Sequence, residues 1–415
     1  MTKVAIIGSG IAGLGAAWAF HATAHDVTVL EAAAQPGGHV LTVDTPGGVP
    51  VDMGFIVHNR ENYPHFCALL AELGVPTRAT SMAFSVATGG VEWGSASLSA
   101  MFADRRLLAS PRHWRFLVEI VRFLRGARRD LAERSSLVRA ASVDEYLAAR
   151  RVHPDVRARF VVPLAAALWS LAPDHCGAFP AETYLRFLDQ HGMLSPTAAL
   201  PWRTIIGGSR VYVTALLARL RARPGFALAL GAPVETIARD ATGVTLIVAG
   251  RERRFDRVIV ATHADTALAL LAAPSDAERR VLGAFRYSRN RTVLHTDRAF
   301  LPASPRAHAA WNYVADPDTA RVAVTYSMTI LQGLPDAPYL VTLNPRRDPR
   351  GILHEAWLDH PQFDRAALDA QGALAALGTG QRTAYAGAHA RFGFHEDGMR
   401  SGLAAAARTL AEDAA

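Results

Sequence analysis

An apolar, β-branched run at residues 4–7 opens the chain with the make-up of a strand buried on both faces, and it passes directly into Gly8, Gly10 and Gly13. A helical stretch follows to residue 20, and a second strand at 26–30 ends on Glu31. From about 62 to 200, apolar positions recur at helical spacing with few alternations, so this stretch reads as mostly helical. Sheet signals return at 202–208, 227–230, 234–237 and 243–248, and 255–262 reads as a buried strand ending in small residues. Between 263 and 359, the segments 291–296, 322–326 and 339–343 alternate as an antiparallel sheet does. A last helix is predicted from Met399 to about Asp413.

The order strand, glycine turn, helix, strand, acid carries chemistry. Gly8 permits the tight turn, Gly10 lets the backbone approach a pyrophosphate, and Gly13 with Gly15 lets the helix pack close to the strand. The helix start, with Ile11 and Ala12, offers free N–H groups and partial positive charge to phosphates, and Glu31 stands where an acid accepts hydrogen bonds from ribose hydroxyls. The segments Gln35-Pro36-Gly37-Gly38-His39 and Val51-Asp52-Met53-Gly54 resemble the second glycine pair and the following segment of two-dinucleotide-binding flavoproteins, which implies FAD rather than NAD. Most of those proteins place an Arg after the glycine pair; here it is His39, either a phosphate contact or a loop histidine.

At 415 residues and 50% hydrophobic, the chain has room for two or three domains. It shows no apolar run of eighteen residues, and a strand begins at Val4, so neither a membrane span nor a signal peptide is expected and the predicted location is cytoplasmic. Cys67 and Cys176 lie far apart without metal-ligand spacing; they read as reduced and structural, and no metal site is expected. The net charge of +7 is carried by arginine, Lys3 being the sole lysine. Eight arginines between 105 and 129 are interleaved with Trp114, Phe116, Ile120, Phe123 and other apolar residues. That pattern fits a peripheral anchor on anionic membrane, and equally a core helix with solvated arginines. No nucleic-acid module accompanies the charge.

The segments DMGFIVHNRENYPHF, VIVATHADTALALL, TVLHTD, AAWNYV, VTYSMTILQGL, VTLNP and GFHEDGMRSG extend the resemblance to nearly the whole chain. The sequence resembles the superfamily of flavin-containing amine oxidases, protoporphyrinogen oxidases and carotenoid desaturases, within it a bacterial branch of FAD-binding proteins associated with cyclopropane or methyl fatty-acyl modification. The resemblance implies an α/β fold: a Rossmann-like FAD domain assembled from 1–61, 201–265 and 360–415, a helical insertion at 62–200, which holds the arginine-rich stretch and its candidate membrane contact, and a substrate domain of antiparallel sheet at 266–359. It implies noncovalent FAD, since no cysteine lies near HEDG. The amides near Asp397, Gly398 and Met399 would hold the flavin pyrimidine edge, Gly387 would match the preceding glycine motif, and Val234 the strand beside adenine. Ala388 stands where many relatives carry an acid, which leaves Glu396 or Asp397 as substitutes; HEDG is also a plain helix-capping sequence.

Amine oxidases of the superfamily commonly use a lysine in the substrate half, whereas Lys3 opens the first strand. Desaturation asks less of the protein: a C–H bond aimed at the flavin, a base or water for the second proton, and a dry channel. Polar and aromatic residues that interrupt the apolar segments are the catalytic candidates: His263, His295 with Asp297, Trp311, Asn312 and Tyr326. The activity expected is FAD-dependent desaturation of a methylated or unsaturated phospholipid acyl chain, with oxygen or quinone as electron acceptor. Alternatives are double-bond isomerisation, amine-oxidase-like chemistry on another apolar substrate, and a non-catalytic flavin-holding accessory role.

Overall fold

The computed structural model describes residues 1–169, 174–195, 200–315, 322–335 and 337–414. Parts of the expected helical insertion, 170–173 and 196–199, lie outside the described residues. A five-stranded parallel sheet runs in the order Phe226–Ala229, Asp26–Leu30, Lys3–Ile7, Arg257–Val260, Thr383–Tyr385. Its register pairs Ile7 with both Leu30 and Val260, so Gly8, Glu31 and Ala261 emerge side by side at the carboxyl edge. Consecutive strands leave the central one in opposite directions there, which is where open α/β sheets bind ligands.

Alternate residues of the central strand feed two cores. Val4 and Ile6 pack with the helices Ile11–Ala19, Arg210–Arg221 and His395–Ala414, while Ala5 and Ile7 pack under the meander Val234–Arg239, Val244–Val248, Arg251–Phe255. The first and last helices cross at backbone distance. A Cβ on Gly402 would lie 2.0 Å from the Ala12 carbonyl oxygen, one on Gly398 2.7 Å from Ile11 Cγ2, and one on Gly15 2.8 Å from Met399 Sδ. Glycine in a helix interior costs about 1 kcal/mol relative to alanine. Here that cost admits a contact no other residue permits.

The substrate domain is a seven-stranded sheet ordered Ile352–Gln362, Arg286–His295, Leu340–Leu343, Val322–Ser327, Trp311–Ala315, Phe84–Thr88, Val91–Gly94. The last two strands come from the stretch read as mostly helical, which also holds Thr77–Ala79, paired with Arg203–Ile205. The strand Ile352–Gln362 runs past the expected boundary at 359. The helix Pro111–Ala132 turns Phe116, Ile120, Phe123, Leu124 and Ala127 into the core, so its main apolar face is spent on packing and cannot serve as a membrane anchor.

A buried ion pair ties the helix Asp276–Leu282, from the stretch expected in the substrate domain, to the strands Val234–Arg239 and Thr383–Tyr385 of the nucleotide domain. Glu278 accepts from Arg239 Nη1 at 2.5 Å and from the Tyr385 hydroxyl at 2.5 Å. Burial alone would raise its pKa, but the bonds from Arg239, Tyr385 and Ser275 outweigh it and bring the carboxyl down to about 2. A carboxyl depressed in the folded state contributes stability that is complete above its unfolded pKa and is lost as pH falls through the folded value. Chemical denaturation should therefore show wild type losing stability between pH 4.5 and 2.5 more steeply than Glu278→Gln. Gly402→Val should cost at least ~2 kcal/mol by overpacking, read as a lowered denaturation midpoint; an unchanged midpoint would disprove the helix-crossing account.

Candidate active site

The carboxyl edge of the parallel sheet carries two glycine turns set against each other. Gly8 has φ +99°, and a Cβ on it would meet the Ala261 carbonyl at 2.9 Å; a Cβ on Gly13 would lie 1.9 Å from the Gly8 oxygen. Gly37 donates to the Ser9 carbonyl at 3.1 Å, and a Cβ on Gly38, at φ +58°, would approach Gly10 Cα to 3.0 Å. Gly10 itself has free space, its built Cβ coming no nearer than 4.0 Å to Gly38 Cα. The first intrahelical bond runs from Leu14 N–H to the Gly10 carbonyl and no side chain caps the helix, so the amides of Ile11 to Gly13 remain for an anion. Glu31 is braced by Ser9, whose N–H and hydroxyl donate to Oε2 at 2.8 and 2.6 Å. A cradle that side chains would fill, open helix amides and an acid at the next strand end together fit the diphosphate and ribose of a dinucleotide.

From this groove a cavity of about 530 Å³ continues between the domains. It is lined by Gly8, Gly10, Ile11, Ala12, Glu31, Gly37, Gly38 and His39, and beyond them by residues of the substrate sheet and helices. Where groove and cavity meet stands a wall of imidazoles. The rings of His39 and His263 are 5.9 Å apart, those of His39 and His360 5.8 Å, and His263 stacks on Tyr287 at 4.3 Å. Tyr287 accepts from Ala264 N–H at 3.0 Å and meets His389 Nδ1 at 3.1 Å; His39 Nε2 lies 2.9 Å from the Asp359 carbonyl. Burial, then the neighbouring imidazoles, pulls His360 and His389 down to about 3 and lowers His39; burial also lowers His263. At neutral pH the wall is therefore uncharged, rich in proton acceptors and poor in counterions. One buried oxygen of Asp359, which also lines the cavity, has no hydrogen-bond partner.

The remaining surface is apolar. Trp311 and Tyr326 meet edge to face at 5.2 Å, with the Tyr326 hydroxyl donating to the Ala167 carbonyl at 3.1 Å, and Met82, Phe84, Leu164, Trp169, Phe187 and Leu343 line the same cavity. No Lys or Arg lines it among the described residues.

Of the catalytic candidates, His263, Trp311 and Tyr326 reach the cavity; His295, Asn312 and Asp297, the last engaged by Arg347 and the Arg350 N–H, do not. His295 is fully buried within the substrate sheet, with Nε2 2.7 Å from Thr342 Oγ1 and Nδ1 accepting from Asp297 N–H at 3.1 Å. Asn312 exhausts its amide on Ser85, Ala309 and the Thr325 carbonyl. Both answer to strand packing rather than to a substrate. Glu396 caps the helix Pro64–Glu72, accepting from the N–H groups of His65 and Phe66 at 3.0 Å, and so cannot replace the acid absent at Ala388. Asp397 accepts from Phe392 and Phe394 N–H and is likewise spent, burial raising its pKa to about 6.

The last helix starts at His395, a turn earlier than expected, and Gly393, Phe394 and His395 line the cavity in place of Gly398 and Met399, which belong to the helix crossing. Gly387 lines the cavity, its N–H bonded to Ser401 Oγ at 3.0 Å; Val234 opens the meander and packs into the core beneath it. Sequence reasoning missed Tyr287, Asp359, His360 and His389. His389 sits two residues past Gly387 in the glycine-rich segment and was legible there; the others lie on strands whose pairing brings them together.

Fold and site define a dinucleotide-binding flavoprotein with an apolar cavity abutting the cofactor groove. Residues 11–329 match the flavin containing amine oxidoreductase family, and the chain belongs to it. Curated relatives in two strains of Mycobacterium tuberculosis, provisionally named flavin-containing monoamine oxidase AofH, are 29% identical over 259 residues, covering 59% of this chain and 53% of theirs. The chain thus spans about half the length of the curated relatives it matches. Among solved structures, putrescine oxidase superposes with a TM-score of 0.71 at 16% identity over 99% of both chains. The conjugated-linoleic-acid-producing fatty acid isomerase from P. acnes gives 0.69 at 16% over 97% of both, and cyclohexylamine oxidase from Brevibacterium oxydans 0.69 at 18% over 100% of both. At these identities the likeness is one of fold.

Two substitutions separate folding from cofactor capture. Gly10→Val has room in the protein and obstructs only a ligand, so it should yield folded, colourless protein. Gly13→Val drives a side chain into the Gly8 carbonyl and should fail to fold. Full flavin occupancy in Gly10→Val, measured by absorbance of the acid-released supernatant, would sink the assignment of this groove.

Proposed function

We propose that the protein is an FAD-dependent oxidoreductase that desaturates a methylated or unsaturated fatty-acyl chain of membrane phospholipid. The observation that carries this reading is the cavity, walled by aromatic and aliphatic side chains, free of cationic ones among the described residues, and meeting the nucleotide groove at uncharged imidazoles. An amine substrate would enter as a cation. Asp359 is the carboxylate at the imidazole wall that an ammonium group could meet, so it is the long aromatic and aliphatic remainder of the cavity that favours a neutral chain, and the sole lysine, Lys3, begins the central strand at the end opposite Gly8.

FAD, when bound, supplies the hydride acceptor. Desaturation of –CH₂–CH₂– gives –CH=CH–, a hydride and a proton, and the protein must take the proton. His263, neutral through burial, is the acceptor that lines the cavity, His360 being brought too low to serve as a base. Trp311, Tyr326 and Phe187 exclude water and confine an extended chain against that wall. Glu31 and the glycine turns hold the cofactor end. Oxygen or a quinone would then remove the electrons.

Anaerobic addition of a methylated, unsaturated phospholipid in mixed micelles tests the reading. Bleaching of the flavin, with a product two mass units lighter, is the expected result. A shifted double bond without net bleaching would make the enzyme an isomerase, bleaching by a primary amine alone would return it to amine oxidation, and no change with any of these would leave a flavin-holding accessory role.

A further inference from the structure

The helix Pro111–Ala132 has a second face. Its inner side packs Phe116 on Trp93 at 5.3 Å, Trp93 on Phe84 at 5.4 Å, and Phe84 lines the cavity. At 100° per residue, its outer side carries Trp114, Val118, Arg122, Arg125, Arg128 and Arg129 in one band. Trp114 and Val118 are 50% and 51% exposed, and the preceding turns add Leu98 at 76% and Leu108 at 50%. The turns that carry them are linked. Trp114 Nε1 donates to the Leu108 carbonyl at 3.0 Å and its ring lies 4.8 Å from Phe102, while Arg105 bridges the Phe102 carbonyl and Ser99, next to Leu98.

All eight arginines from 105 to 129 are exposed. Four pair with acids, namely Arg106 with Asp104, Arg112 with Asp155, Arg122 with Glu119 and Arg129 with Glu133. Arg105, Arg115, Arg125 and Arg128 form no ion pair among the described residues. An apolar tip beside a band of arginines in which Arg125 and Arg128 carry no ion pair among the described residues matches one surface in both respects, a bilayer with anionic headgroups and an acyl interior. A second copy of the chain matches poorly, because two such faces would oppose like charges.

We propose that this outer face docks the protein on anionic membrane, with Leu98, Leu108, Trp114 and Val118 entering the headgroup layer and the arginines lying over it. The inference rests on the phospholipid reading above: docking would hold the protein at its lipid substrate, with the cavity's Phe84 behind Trp93, Phe116 and the helix.

Sedimentation of the yellow holoprotein with vesicles tests it. Wild type should bind vesicles of phosphatidylcholine with 30% phosphatidylglycerol far better than pure phosphatidylcholine, and physiological salt should weaken binding by screening over about 8 Å without abolishing the apolar part. Trp114→Ser with Val118→Ser should lower partitioning about tenfold or more through lost apolar burial. Arg125→Glu with Arg128→Glu should erase the preference for phosphatidylglycerol. Both pairs should retain FAD and an unchanged thermal midpoint.

Equal binding to both vesicles, or variants that bind like wild type, would overturn the proposal. So would light scattering showing a dimer that Trp114→Ser with Val118→Ser converts to monomer. Absent vesicle binding combined with flavin bleaching by micellar phospholipid would refute docking alone. Vesicle binding without any turnover of phospholipid would uphold docking and refute the desaturase reading.

Discussion

The site depends on one contact, the crossing of the first and last helices at glycine-to-backbone distance. Gly15, Gly398 and Gly402 let Ile11–Ala19 and His395–Ala414 approach until each touches the other's backbone. That approach carries the segment from Gly387 to His395, nearly four hundred residues from the amino terminus, against the groove opened by Gly8 and Gly10. Without it the groove would have one bank. The parallel sheet repeats the logic, since its edge strand Thr383–Tyr385 pairs with Arg257–Val260, itself paired with the opening strand. The cofactor groove is thus built by long-range closure, and the short-range motif supplies only half of it.

Electrostatics inside the cavity follow from that closure. Four histidines and two tyrosines enclosed by both domains lose solvent, and burial is the first cause of shift for every one of them. Each imidazole is shifted toward its neutral form, His360 and His389 furthest, and both tyrosines are shifted toward theirs. A cavity so made is polar in hydrogen bonding yet free of cations. Asp359 is the carboxylate at that wall, and one of its buried oxygens has no hydrogen-bond partner.

What the sequence disclosed, and what it hid, divides by range. Residues 4–31 were legible because turn, helix start and acid lie within one βαβ unit, where spacing alone fixes geometry. The hairpin Phe84–Thr88 and Val91–Gly94 was read as helical surroundings because its strands are short and earn their place by pairing Phe84–Ala87 with Trp311–Val314, across more than two hundred residues. Ile352–Gln362 was missed as a strand because it edges its sheet and keeps polar residues on the solvent side. His295 and Asn312 drew attention as polar interruptions of apolar strands. Their partners, Thr342, Ser85 and the Ala309 and Thr325 backbone, were invisible in a linear reading, and a satisfied buried amide looks the same on paper as a reactive one.

The helix Pro111–Ala132 shows why amphipathicity could not be assigned from composition. Its sequence pattern is strong, and two surfaces were available to absorb it. The core took the wider stripe, Phe116, Ile120, Phe123, Leu124 and Ala127, because enclosure by Trp93, Phe160 and Tyr146 gives each side chain dispersion contacts on all sides that a fluid bilayer cannot match. What remained outside, Trp114 and Val118, is too narrow to drive folding and has no structural duty that requires exposure. The helix covers that core and meets solvent with its other face. The exposure of Trp114 and Val118 beside Arg125 and Arg128, which form no ion pair among the described residues, is the physical reason to assign that face a surface of its own.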